Sequence, residues 1–86
     1  MNTFSEFLRK VRGVGSRAAV LAHYDSTTEL TPANYDGDGE AFQFDWIDEL
    51  SQIDIEGKPP TEEHKEAAKE AYLDAFWSQV GVLNHE

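Results

Sequence analysis

The chain has 86 residues, no cysteine, and 17 Asp and Glu against 7 Lys and Arg, a formal charge of −10. That length holds one domain, residues 1–86, burying roughly 60% of its unfolded surface; the missing cysteines exclude disulfides, thiolate zinc sites and cysteine nucleophiles. The charge argues against direct binding of nucleic acid, which needs Lys and Arg against phosphate, and no apolar run approaches the ~18 residues of a membrane span.

Thr3 and Glu6 form a T-x-x-E capping box, which satisfies two backbone N–H groups at a helix start. Phe4, Phe7, Leu8 and Val11 follow at i, i+3, i+4 and i+7, one apolar stripe. Arg9, Lys10 and Arg12 come late, where cations suit the helix dipole, and Gly13 is read as the stop. Ser16 then caps a short second helix over 17–24, with a strand Val20–Tyr24 as the competing reading. Residues 25–41 read as a loop, long enough to raise the expectation that it is functional.

Phe42, Phe44 and Trp46 alternate with polar residues, the period of a short extended piece near 41–46. A helix 46–53 follows, and a turn around Gly57 and Pro59–Pro60 ends it. Thr61 caps the longest helix, 62–80, with Glu62 and Glu63 in its first turn and Ala67, Ala68, Ala71, Tyr72, Ala75, Phe76 and Val80 on one face. Residues 82–86 are expected to fray. The expected fold is mainly α: a small single domain of three to four helices with a long acidic loop.

The charge is unevenly placed. Residues 1–17 carry +3 and residues 18–86 carry −13, and within 25–56 there are ten acids with no Lys or Arg. Tyr35, Phe42, Phe44, Trp46, Ile47, Leu50 and Ile53 are interleaved with these carboxylates, so the segment can pack and hold its acids in fixed positions.

The stretch Asn34-Tyr35-Asp36-Gly37-Asp38-Gly39-Glu40-Ala41-Phe42-Gln43-Phe44-Asp45 resembles an EF-hand calcium loop. Asn34, Asp36, Asp38, Glu40 and Asp45 are its candidate ligands, with Gly39 at the sharp turn. The first position is Asn instead of Asp, the eighth is Ala41 instead of a branched residue, and the twelfth is Asp45 instead of Glu. The competing reading is a solvated Asp-Gly turn, with no metal and no cofactor.

Gly13-Val14-Gly15-Ser16-Arg17-Ala18 fits G-x-G-x-x-A, but a dinucleotide site needs a preceding strand and a full βαβ unit, so a helix–helix turn is expected instead. His23, His64 and His85 stand in no metal spacing, there is no G-x-S-x-G, and adjacent Asp48 and Glu49 point apart on a helix. No enzyme is expected. Neither a cleaved transit peptide nor a secretory signal is expected, and cytoplasm is the default.

What remains is the acid block. Ordered carboxylates create a negative potential that attracts Lys- and Arg-rich partners. The sequence thus points to a non-enzymatic acidic binding protein, an inhibitor or modulator docking on a basic, nucleic-acid-binding surface of a larger protein. Asp36, Asp38, Glu40, Asp45, Asp48 and Glu49 would supply charge, with Tyr35 and Trp46, and also Phe42, as outward aromatic anchors. Small, cysteine-free, acidic helical proteins of this kind are similar in general character to phage- and plasmid-encoded inhibitors, including nucleic-acid mimics that block restriction, CRISPR or host polymerase machinery. The alternatives are an interaction module with an exposed apolar or aromatic groove, and a degenerate EF-hand-like calcium-binding domain.

Overall fold

A computed structural model describes residues 2–85 and shows three α-helices: α1, Phe4–Asp25; α2, Asp38–Asp48; and α3, Glu62–Asn84. A 3-10 turn, Leu50–Gln52, follows α2. The expected mainly helical single domain is what the chain forms.

The expected capping box at Thr3 and the expected cap at Thr61 are both present, and the second proves to be a box as well. Thr3 Oγ1 accepts from Glu6 N–H, and Glu6 Oε1 accepts from Thr3 N–H. At α3, Thr61 Oγ1 accepts from His64 N–H while His64 Nδ1 accepts from Thr61 N–H, so an imidazole fills the place usually taken by Glu or Gln.

Three sequence expectations are corrected. The stop at Gly13 and the helix–helix turn at Gly13–Gly15 do not exist, because α1 runs unbroken through both glycines. Gly15 is there for packing: a Cβ on it would lie 2.5 Å from the Tyr72 carbonyl oxygen, so only glycine lets α1 and α3 approach this closely. The extended piece at 41–46 is the middle of α2, and the helix expected over 46–53 starts eight residues earlier, at Asp38. Finally, α3 continues to Asn84, where the Nδ2 amide donates to Leu30 O and holds the end that was expected to fray.

α1 and α3 run parallel. Phe4 meets His64 at one end, Arg12 pairs with Asp74, and Gly15 abuts Tyr72. α2 lies antiparallel to α3, with Asp38 opposite Trp77 and Asp45 opposite Tyr72. The core is built in two parts. Phe7, Val11, Phe42, Leu50 and Tyr72 fill the larger, and Ala19, Leu30, Phe76 and Val80 the smaller. Burial of these side chains supplies the main driving force for folding.

Chain return to the start of α3 passes beneath α1. Glu56 N–H donates to Asn2 O, Asn2 Nδ2 donates to Asp54 O, and Ile55 and Lys58 exchange backbone hydrogen bonds around a tight turn. Glu56 and Gly57 both have positive φ, 54° and 83°.

Candidate functional site

The acidic segment does not present all its carboxylates to solvent. Asp38 is half-buried: its Oδ2 accepts from Trp77 Nε1 at 2.9 Å and its Oδ1 from Gly39 N–H. Asp45 is half-buried too, and its Oδ2 accepts from the Tyr72 hydroxyl at 2.6 Å. Glu49 pairs with Arg17 across the α1–α2 junction at 2.9 Å. Asp36, Glu40 and Asp48 are exposed. Of the six candidate acids, three therefore bond within the fold and three project outward.

The aromatic anchors are redistributed in the same way. Tyr35 stacks on Phe76 with ring centroids 5.9 Å apart and meets Trp77 edge-on. Trp46 packs against Phe42 with the Lys65 ammonium 5.7 Å from its ring centre, a cation–π contact. Phe42, expected outward, is buried against Tyr72. Burial first, and then the charges of Asp38, Asp36 and Glu40, push the Tyr35 phenol up from its ordinary range. Tyr72 is pushed up further, by burial and then by its hydrogen bond to Asp45.

The calcium-loop geometry is replaced by other bonds. Asn34 Oδ1 accepts from Thr31 N–H and Asn34 Nδ2 donates to Glu29 O, so the first candidate ligand organises its own turn. Asp38 to Asp45 lie in α2, where Gly39 is helical rather than turned. Among the described residues, no group of three or more His, Cys, Asp or Glu is placed to hold a metal ion, and no helix is long and apolar enough to cross a membrane.

A different feature emerges on the α1–α2 face. Leu21 is 61% exposed and Phe44 70% exposed, and they form the walls of one groove of about 310 Å³. Ala18 and Ala22 from α1 and Ala41 from α2 form its floor, with Asp25, Tyr35 and Asp45 at its edges. Small floor residues and large wall residues make the groove open and apolar. Tyr24, three residues beyond Leu21, and Ile47, three beyond Phe44, are also exposed and continue the apolar stripe of their helices. Glu40 and Asp48 lie four residues either side of Phe44 on the same outward side of α2.

Sequence reasoning missed Phe44, Leu21, Tyr24 and Ile47. The signal was present in helical spacing: with α2 taken as a helix from Asp38, Phe42 and Trp46 share one face and Phe44 falls on another. No protein-family model, curated protein or solved structure matches this chain.

Proposed function

We propose that this chain is a non-enzymatic binding protein that docks on a basic surface of a larger protein through its α1–α2 face. The observation that supports this reading is the pair Leu21 and Phe44, exposed on two different helices across one groove with carboxylates at its borders. Large apolar side chains gathered on one exposed face mark interaction surfaces more often than isolated ones do. Asp25, Glu40 and Asp48 are exposed around them, and no Lys or Arg lines the groove. Arg17, which precedes the groove residue Ala18 in sequence, is engaged by Glu49. This unites the charge-driven binder and the apolar groove, which composition had set against each other.

Affinity capture from host lysate at two salt concentrations tests the reading. Basic proteins are expected to be retained at low salt, lost at high salt, and depleted by the combined Asp25→Asn, Glu40→Gln and Asp48→Asn variant, because exposed charge pairs are screened. Capture indifferent to both salt and variant overturns it. The narrower form, a cytoplasmic inhibitor that imitates nucleic acid, predicts in addition that DNA or RNA displaces the chain from its captured partner.

A further inference from the structure

We infer that the α1–α2 groove receives a single large apolar side chain, presented by a partner segment that carries Lys or Arg on both sides of it. This rests on the proposed docking role of the same face and specifies what enters it.

The size of the groove sets the first constraint. About 310 Å³ lies at the lower bound of small-molecule pockets, which begin near 300 Å³. A cavity of ~150 Å³ holds a benzene ring, so a bulky side chain enters this open groove with space to spare. The shape sets the second: an alanine floor between the Leu21 and Phe44 walls leaves a slot that is apolar at its centre, with the polar groups of Asp25, Tyr35 and Asp45 confined to its edges. Ala18, Ala22 and Ala41 have no side-chain rotamers to lose, so filling the slot costs mainly the entropy of the incoming group.

Charge decides between occupants. Asp25 and Asp45 both line the groove, Asp45 with Oδ2 held by Tyr72. Glu40 and Asp48 flank Phe44. A second copy docked by the same face would set its own acidic border against this one, and like charges brought together oppose association. A cationic segment meets it favourably, and its apolar residue supplies an anchor of the kind that dominates interface energies.

The experiment uses the full chain and two amidated heptapeptides, one of six lysines around a central leucine and one with serine at the centre, titrated calorimetrically at low and moderate salt. The leucine peptide is expected to bind about tenfold or more tightly than the serine peptide, the discrimination an apolar pocket gives for a few methylenes. Phe44→Ser, which removes a wall, and Ala41→Leu, which fills the floor, are each expected to abolish the difference while circular dichroism shows helicity unchanged. Equal, salt-sensitive binding of both peptides overturns the anchor slot but leaves the basic-surface reading standing. A preference for leucine that survives both variants also overturns it. So does sedimentation showing a dimer at micromolar concentration that Phe44→Ser dissociates. Absence of binding by either peptide overturns the slot, and lysate capture then judges the broader reading separately.

Discussion

The Tyr72 hydroxyl donates to Asp45 Oδ2 over 2.6 Å, from the middle of α3 to the last turn of α2. Trp77 repeats the arrangement five residues later, donating to Asp38 in the first turn of α2. Each end of α2 is thus held to α3 by an aromatic donor and a carboxylate, and hydrogen bonds to charged groups are among the stronger ones. Tyr72→Phe is expected to cost about 1–3 kcal/mol, since it leaves a half-buried carboxylate oxygen without its donor. Asp45→Asn keeps an acceptor and should cost less. Urea denaturation midpoints at constant m-value decide between the two.

The same pair sets an alkaline limit. The folded-state pKa of Tyr72 is raised above its ordinary 10.0. A raised pKa contributes stability that is complete below pH 10 and is lost as pH rises toward the folded value, because the unfolded phenol ionises first. Stability measured between pH 9 and 12 is expected to fall more steeply for the wild type than for Tyr72→Phe. Parallel curves would refute this.

Two glycines two residues apart, on different sides of α1, should respond with opposite signs. Nothing lies within 4 Å of a Cβ placed on Gly13, so Gly13→Ala is expected to stabilise α1 by about 1 kcal/mol through helix propensity alone. Gly15→Ala forces a methyl against the Tyr72 carbonyl oxygen at 2.5 Å. Backbone must then shift, at a cost of about 1–3 kcal/mol for overpacking. Thermal unfolding of the two variants beside the wild type reads both signs.

Glu6 marks the acid side. Its hydrogen bonds with the Thr3 backbone and then the Thr3 side chain hold its carboxyl below the ordinary 4.5. A depressed pKa contributes stability that is present above pH 4.5 and lost as pH falls through the folded value. The Tm advantage of the wild type over Glu6→Gln is therefore expected to shrink as pH is lowered from about 5 to 3. An advantage that grows instead would show the opposite linkage.

Glu56 occupies the left-handed region with φ 54°, followed by Gly57 at 83°. Successive positive φ values suit Asn followed by Gly far better than Glu followed by Gly. Glu56→Asn is expected to stabilise the chain by roughly 0.5–1 kcal/mol, read as a rise in denaturation midpoint.

The helix starts at Thr3 and Thr61 were legible because a capping box is local: four consecutive residues carry the whole interaction. The α2 start was not. Asp-Gly-Asp-Gly has the composition of a turn, and Gly39 weakens any helix. What favours helix there is Trp77 and Tyr72, which take up Asp38 and Asp45 from 39 and 27 residues further along the chain. Similarly, Phe42-Gln43-Phe44 reads as period two only if both phenylalanines are assumed to share a face. In the fold one is buried and the other is exposed.

The candidate site was legible as a charged region but not as a surface. Asp36, Glu40 and Asp48 stand where an acidic face requires them, whereas Asp38, Asp45 and Glu49 are engaged by Trp77, Tyr72 and Arg17. Counting carboxylates along the chain cannot distinguish those with internal donors from those without. Leu21 and Tyr24 fell within the expected short helix 17–24, and their spacing alone does not say that α2 and α3 leave that side of the helix uncovered.

The parallel course of α1 and α3 bears on how the chain folds. Residues that touch across this pair, such as Gly15 and Tyr72, are far apart in sequence, and the Asn2–Asp54 hydrogen bond that closes the return path spans 52 positions. A helical hairpin of neighbours would gather its contacts locally; here the main interface forms only after more than half the chain has been looped back. Loop-closure entropy of that kind slows folding relative to up-and-down bundles of equal size. The antiparallel pairing of α2 with α3 closes over shorter loops, 27 residues at Asp45–Tyr72 and 39 at Asp38–Trp77, so its closure costs less entropy than that of α1 on α3.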